Sequence, residues 1–365
     1  MAVAVLGHHA TILDWDILDG DDAVRGFFII SGFYMALVLN GKYADRFLRL
    51  FWTNRFLRLY PAYAVVLVLS LAALLVLGVH PFASLGRMLR LMDNDPLTIS
   101  FVTWTNGMVM GQEWLFNLAL APDGGGLFWP AGPAGTRAFV CSLIPQAWSL
   151  SLEFQFYLAA PWLVRSGVRR MVPVFAAGLA LRLGFALAGP EANRISHYLL
   201  PTELYLFMAG ALAWRAYDAL RATAWPRRLG PAALAALTAV ILGYQWLPAT
   251  WRFAAFALLL TASIPLVFGR FADNRLDRSL GELSYPFYLI HFLIIALAEN
   301  YLPDLPGPAL AAVVLLAAAA LYLAVDRPVD RLRQRRLATA LVLPTPIDQA
   351  SAGMSPAVVP VTQHP

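Results

Sequence analysis

The sequence contains little charge. Charged residues make up 13% of the 365 residues, whereas they make up about a quarter of an ordinary soluble domain. Hydrophobic residues account for 59%, and the mean hydropathy is +0.63. This composition excludes a typical soluble globular protein and indicates a polytopic membrane protein. The usual expectation of several soluble domains for a chain of this length therefore does not apply.

Cysteine and metal-binding motifs are also scarce. The single cysteine, Cys141, excludes an internal disulfide framework and a cysteine-rich metal site. The sequence has no His-Glu-x-x-His motif and no clustered His/Asp ligands, so we predict no metal site. The run Asp123-Gly-Gly-Gly126 lacks the Gly-Lys-Ser/Thr of a phosphate loop and is interpreted as a linker. No tightly bound cofactor is expected.

The long apolar segments predict an all-α fold, a bundle of about ten transmembrane helices, because each span needs about 20 mostly apolar residues. A further stretch, 97–120, contains Asn106, Gln112, Glu113 and Asn117, and we predict that it does not cross as one helix. Residues 80–142 are therefore interpreted as one large outer excursion. The predicted spans lie near 1–14, 24–41, 61–79, 143–164, 171–189, 198–216, 229–247, 251–269, 284–302 and 308–325.

The distribution of basic residues predicts the orientation. With residues 42–60 and the C-terminal tail placed in the cytoplasm, most of the 27 lysine and arginine residues fall on cytoplasmic segments, as the positive-inside rule requires. The net charge of +5 is thus explained without nucleic acid. We expect a membrane domain over residues 1–336, followed by a disordered cytoplasmic tail over 337–365.

A carboxylate, Glu153, lies in the middle of the apolar segment 146–161. A charge at that depth costs about 2.5–3.5 kcal/mol on insertion scales, so it is rare unless it serves a polar cavity. Glu203 and Arg182 also lie at membrane depth, and we predict that they pair with each other. His291 is expected about two turns into a spanning helix, either as a functional group or as a core histidine bonded to a neighbouring helix.

Two arginines, Arg55 and Arg58, have the i, i+3 spacing that puts both on one helical face. Pro61 is predicted to lie in the first turn of the next spanning helix. The guanidinium pair suits a phosphorylated ligand, although the spacing alone favours a positive-inside anchor that binds lipid headgroups. His8 and His9 beside the first apolar segment are either proton-exchanging groups or an interfacial pair.

Six segments in order resemble one family, the integral-membrane acyltransferase-3 proteins. Each motif is weak alone, and their order makes the resemblance specific over residues 4–336. The segments are Ala4-Val-Leu-Gly-His-His9, Gly26-Phe-Phe-Ile-Ile-Ser-Gly-Phe33, Arg55-Phe-Leu-Arg-Leu-Tyr-Pro61, Trp148-Ser-Leu-Ser-Leu-Glu-Phe-Gln-Phe-Tyr157, Leu280-Gly-Glu-Leu-Ser-Tyr-Pro-Phe-Tyr-Leu-Ile-His291 and Asp326-Arg-Pro328, which resembles the end of the family's last helix.

The resemblance implies an O-acyltransferase of a bacterial inner (cytoplasmic) membrane. It implies transfer of an acyl group, in many members acetyl, from acyl-CoA to a hydroxyl of a cell-surface carbohydrate or lipid-linked sugar. The resemblance also implies contact with membrane lipids and no binding of nucleic acid. The implied residues are His8, His9 and Glu153 for catalysis and Arg55 and Arg58 for acyl-CoA. Ser31, Trp148, Tyr288 and His291 are implied to line an acceptor tunnel or to serve as structural polar groups.

The beginning of the chain departs from the family pattern. The family's first helix starts with a Leu-Arg-Gly or Leu-Arg-Ala step, and no such step precedes His8. A helix over 1–14 would also be too short for a core of about 30 Å at about 1.5 Å per residue. We therefore expect the first helix to be truncated. The spacing favours His8 as the family histidine, with His9 as the alternative.

A secondary transporter or flippase for an acidic or lipid-linked solute is the alternative function, because intramembrane Glu, His and Arg also mark transport paths. Inverted repeats with broken helices, which many transporters contain, are not visible in the sequence. The release of free CoA thiol from acyl-CoA would distinguish the two functions.

Overall fold

The computed structural model of this chain describes residues 6–7, 17–43, 47–82, 84–92, 95–121, 126–129 and 136–342. These residues are mostly helical, which confirms the all-α prediction. The helices are α1 (Gly20–Asn40), α2 (Leu48–Ala72), α3 (Leu85–Met92), α4 (Pro96–Met108), α5 (Gln112–Asn117), α6 (Ala147–Leu163), α7 (Val168–Leu187), α8 (Pro190–Ser196), α9 (Leu200–Leu220), α10 (Trp225–Leu242), α11 (Arg252–Phe271), α12 (Arg275–Tyr301), α13 (Gly307–Leu321) and α14 (Arg327–Val342).

Six helical segments among the described residues are long and apolar enough to span a membrane, fewer than the ten expected. Each predicted span from 24–41 onward does coincide with a helix, but α6 has only 17 residues. Glu203 in α9 and Arg227 and Arg228 in α10 lower the mean hydropathy of those two helices. Most of the predicted span 1–14 lies outside the described residues. The six segments are Gly20–Asn40, Leu48–Leu77, Val168–Leu187, Arg252–Phe271, Arg275–Tyr301 and Gly307–Ala340.

Two helix starts were predicted wrongly. Helix α2 begins at Leu48, so Pro61 lies in its interior and not in its first turn. Helix α12 begins at Arg275, which places His291 more than four turns along it. In both cases polar residues at the start of the helix hid its continuation, because hydropathy reports which residues suit lipid and not where helical hydrogen bonding begins.

The stretch 97–120 does not form one helix, as predicted. Helix α4 ends at Met108, and the chain turns through Val109 (φ +68°) and Gly111 (φ +91°) before α5 begins. Three two-residue strands follow in the antiparallel order β2–β1–β3, with β1 Ala119–Leu120, β2 Leu127–Phe128 and β3 Thr136–Arg137. This excursion has its own small apolar core, in which Met88, Val102 and Leu115 pack near Leu74 of the segment that extends α2.

The last helical segment does not end at Asp326-Arg-Pro328, contrary to the expectation from the family motif. A π-helical turn, Tyr322–Asp326, joins α13 directly to α14. A π turn inserts one extra residue into a helix and so re-aims the side chains after it. Helix α14 continues to Val342, so residues 337–342, which were expected to be disordered, are helical. The remainder of the expected tail lies outside the described residues.

The closest helix crossing joins α1 to α9. A Cβ added at Gly32 would lie 1.9 Å from the carbonyl oxygen of Phe207, and one at Gly210 would lie 1.8 Å from the carbonyl oxygen of Ile29. Only glycine permits this separation of the two backbones, and small residues at a crossing are the usual means of close packing between membrane helices. The crossing fixes the position of the central part of α1.

We predict that Gly32→Ala and Gly210→Ala each destabilise the protein, since the added methyl group must force two backbones apart. Overpacking of this kind costs about 1–3 kcal/mol or more. The measurement is thermal unfolding of the detergent-purified protein, followed by size-exclusion fluorescence. Gly184→Ala is the matched control on α7, because a Cβ there meets nothing within 4 Å. A melting temperature for Gly32→Ala equal to that of the control would contradict the prediction.

Candidate active site

Glu153 on α6 is the centre of a small polar cluster. The hydroxyl of Ser31 on α1 donates to Glu153 Oε1 at 2.8 Å. The hydroxyl of Tyr157, one turn further along α6, donates a short hydrogen bond to the same oxygen. No described residue donates to Oε2. The carboxylate is only partly buried, so it can still interact with a ligand.

The segment Ser31-Gly32-Phe33 explains why this cluster forms. Gly32 makes the close crossing with α9, and Phe33 packs edge-on against the ring of Phe268, with centroids 5.1 Å apart. Ser31 is thereby held on the face of α1 that contacts α6, where it meets Glu153. One short motif thus supplies a backbone contact, an aromatic anchor and a hydrogen-bond donor.

An open groove of about 480 Å³ adjoins this cluster. Helices α2, α6 and α14 form its walls, and its surface is mainly apolar. Tyr157 lines the groove and also donates a hydrogen bond to Glu153, so it connects Glu153 with the groove. The residues lining the groove include Trp52, Arg55, Phe56, Phe154, Tyr157 and Arg336.

Arg55 and Arg58 lie on α2 near Glu153. Both guanidinium groups are close enough to influence the charge of Glu153, yet neither forms an ion pair with it within the described chain. Arg58 instead pairs with the buried Asp326 at 3.5 Å. Arg55 forms no ion pair among the described residues, and its Nε is buried without a hydrogen-bond partner. An uncompensated, partly buried guanidinium is a strong candidate for anion binding.

A second polar group lies one helical turn before Glu153. Ser149 Oγ and Tyr288 OH are 2.8 Å apart, and Tyr288 OH also donates to the carbonyl oxygen of Gln146 at 2.9 Å. His291 is buried, and its Nδ1 contacts the carbonyl oxygen of Tyr288 at 2.6 Å. Because residues 149 and 153 share one face of α6, this group adjoins the Glu153 cluster.

Trp148 belongs to the surroundings of these groups. Its ring packs edge-on against Tyr198 at 4.9 Å and against Phe28 at 6.2 Å. The structure therefore brings Ser31 together with Glu153 and Tyr288 together with His291. The two groups lie beside adjoining turns of α6. Trp148 fixes the position of α6 through aromatic packing.

The predicted pairing of Arg182 with Glu203 is confirmed, with Nε and Oε1 3.6 Å apart. The structure adds Arg25, whose Nε lies 3.1 Å from Glu203 Oε2. Arg25 is buried within α1. Glu203 thus pairs with two cations from two other helices, so each charge of this cluster has a partner of the opposite sign.

Beside this cluster, outside the spanning helices, lies His197. Its pKa is lowered to about 4 by burial and by the neighbouring cations Arg25 and Arg182. It is therefore neutral at physiological pH. Its Nδ1 contacts the carbonyl oxygen of Asn193 at 2.7 Å, and it belongs to the structural cluster.

His8 and His9 lie outside the described residues, so their proposed role stays a prediction. The described residues contain no group of three His, Cys, Asp or Glu side chains that could hold a metal ion. Two neighbours of the site were missed from the sequence. Tyr157 could have been found by its i, i+4 spacing from Glu153, whereas no local signal shows that Asp326 meets Arg58.

Comparisons with known proteins show the family of the chain. A family model described as an acyltransferase domain matches residues 20–326. Acyltransferase MdmB of Streptomyces mycarofaciens is 27% identical over 368 aligned residues, which cover 88% of this chain and 84% of that protein. No solved structure matches the chain. The match over most of the sequence shows that this membrane protein belongs to the acyltransferase-3 family, whose members are acyltransferases of groups other than aminoacyl groups.

Proposed function

We propose that the protein transfers an acyl group, acetyl in the simplest case, from acyl-CoA to a hydroxyl of a cell-surface or exported carbohydrate. The observation that carries the proposal is the closeness of Glu153 to Arg55, which lines the open groove and forms no ion pair among the described residues. The family membership supports acyl transfer over the transporter alternative. A lipid-linked sugar is the alternative form of the acceptor.

The arginines suit the donor. CoA carries phosphate groups, and a guanidinium matches phosphate oxygens with two parallel hydrogen bonds. Arg55 is available for such contacts, and the ion pair with Asp326 fixes Arg58 beside it. The mainly apolar walls of the groove exclude water from the thioester. The donor would thus be bound by its phosphates, with its acyl end directed toward Glu153.

Acyl transfer requires that the acceptor hydroxyl lose its proton as its oxygen attacks the thioester carbonyl. A C–O bond forms, the C–S bond breaks, and the departing thiolate takes a proton to become free CoA thiol. His8, or His9 in its place, is proposed as the base or as a transient acyl carrier. Replacement of each histidine by alanine identifies which one is required, and unchanged turnover in both variants would remove the proposal.

Glu153 would orient the histidine or balance its charge, by the usual logic of a base and its orienting group. Ser31 and Tyr157 hold Oε1 in place and leave Oε2 for this contact. Tyr288 and His291, one turn away, are proposed to line the path of the acceptor.

We further propose that the protein resides in a bacterial inner membrane, with the arginine pair and the C-terminus in the cytoplasm. The positive-inside distribution supports this orientation. A C-terminal reporter that is active only outside the cytoplasm would contradict it.

The decisive experiment is thioester turnover. Purified protein in nanodiscs, given acetyl-CoA and a mixture of oligosaccharide acceptors, is expected to release free CoA thiol in proportion to the ester formed. Thiol release is followed with a chromogenic disulfide, and acylated sugar is identified by mass spectrometry. A transporter would release no thiol, and this outcome would overturn the proposal.

Glu153→Gln is expected to fold normally and to lose at least about 100-fold in turnover, because it keeps the shape of the side chain and removes its charge. This loss corresponds to about 2.7 kcal/mol of transition-state stabilisation. Glu299→Gln, a change of an exposed carboxylate on α12, is the control. If Glu153→Gln keeps full turnover with a normal elution profile, the carboxylate is only a packing group.

Arg55→Ala is expected to raise the KM for acetyl-CoA about tenfold or more and to leave the KM for the acceptor nearly unchanged. Arg55→Lys should restore the KM for acetyl-CoA poorly, since an ammonium group cannot make the bidentate contact with a phosphate group. Arg49→Ala removes an exposed arginine from the same helix and is the matched control. Equal acetyl-CoA kinetics for Arg55→Ala and Arg49→Ala would show that Arg55 does not bind the donor.

A further inference from the structure

Helix α14 lies along the cytoplasmic half of α2 and brings a second pair of arginines to the groove. Arg336 donates from Nη1 to Asn54 Oδ1 at 3.4 Å and from Nη2 to Thr53 Oγ1 at 3.2 Å. The same side chain lines the groove together with Arg55 and Tyr157. Arg336 forms no ion pair among the described residues. Its contacts therefore position the guanidinium without neutralising it.

Arg333 lies one turn before Arg336 on the same face of α14. Its side chain is only 12% exposed, and its Nη1 bonds Asp330 Oδ1 at 2.9 Å. Its Nε is buried and has no hydrogen-bond partner. Arg333 is close enough to Arg55 and Arg58 to be repelled by both. The i, i+3 arrangement of α2 is thus mirrored on α14.

Four guanidinium groups therefore lie close together, and two of them, Arg55 and Arg336, line the groove. Asp326 pairs with Arg58 and Asp330 with Arg333, but Arg55 and Arg336 have no carboxylate within ion-pair distance in the described chain. Like charges in a partly desolvated site repel one another, and an unpaired charge there costs several kcal/mol. A bound anion with more than one negative charge would relieve both costs.

The other arginines of α14 show that a membrane anchor does not explain this pair. Arg327, Arg331 and Arg335 are exposed, as a positive-inside anchor requires. Arg333 and Arg336 are turned toward α2 instead. The π turn at Tyr322–Asp326 sets the rotation of α14 and therefore determines which arginines face the groove.

We propose that Arg333 and Arg336 form a second phosphate-binding pair, which holds the nucleotide phosphates of the acyl donor while Arg55 and Arg58 act nearer the thioester. This inference rests on the proposed function and names further binding residues for it. The ligand chemistry is a phosphate monoester or diphosphate. The nucleotide part of CoA is one source of these groups, and an anionic lipid headgroup is the other.

The test compares two donors in neutral phosphatidylcholine nanodiscs, acetyl-CoA and acetyl-4′-phosphopantetheine, which lacks the adenosine together with its 3′- and 5′-phosphates. The Arg333→Gln/Arg336→Gln variant is expected to raise the KM for acetyl-CoA at least tenfold and to change the KM for the shorter donor less than twofold. Arg331→Gln/Arg335→Gln, which removes the same charge from the exposed face, should match the wild type. The ratio of the two KM values within one variant does not depend on the fraction of folded protein.

A binding measurement makes the test independent of turnover. Adenosine 3′,5′-bisphosphate should bind the wild type and the control, and should bind the Arg333→Gln/Arg336→Gln variant at least tenfold more weakly. Equal binding to all three proteins, or no binding to any, would overturn the inference. So would a defect that appears only when the nanodiscs contain phosphatidylglycerol, since the pair would then hold a lipid headgroup. Bisphosphate binding without thiol release by the wild type would overturn the proposed function and support the anion site.

Discussion

The contact between α1 and α9 at Gly32 and Gly210 positions much of what surrounds the site. Two glycines let the backbones meet at distances that no side chain would permit. With α1 fixed in this way, Ser31 reaches Glu153 on α6, and Arg25 reaches Glu203 on α9. In a membrane, where apolar surface gives little preference for one neighbour over another, such close packing is a main source of specificity between helices.

The bundle contains two charged clusters, and they differ in whether their charges are paired. Glu203 is surrounded by Arg25 and Arg182, and each charge has a partner of the opposite sign. At the other site, Arg55 and Arg336 face an open groove and have no carboxylate partner among the described residues, within which Glu153 accepts hydrogen bonds from two neutral hydroxyls. Because an uncompensated charge in a membrane domain is costly, the first cluster is explained by folding alone. The second is the cluster for which we propose an anionic ligand.

The continuation of the chain beyond Asp326 brings further residues to the groove for which we propose donor binding. The motif that suggested the end of the last helix instead marks a π turn, after which the chain continues as α14 in contact with α2. Asp326 then meets Arg58, and the arginines of α14 meet the groove. The π turn at Tyr322–Asp326 thus positions Asp326 for its ion pair with Arg58. It also positions the arginines of α14 that we propose to bind the donor.

The sequence by itself determined the membrane class, the positions of most helices and the family. These follow from hydropathy, charge and short motifs, which are local properties of the chain. It also indicated Glu153 and the Arg55–Arg58 face, since a carboxylate in an apolar helix and an i, i+3 pair can be recognised without neighbours. The true starts of α2 and α12 were not visible, because polar helical turns resemble loops when only hydropathy is read. The partnership of Arg58 with Asp326, the approach of Arg336 to Thr53 and the insertion of Arg25 beside Glu203 join residues far apart in the chain. Only the tertiary structure decided them, because they depend on how the helices pack and rotate, which no local pattern specifies.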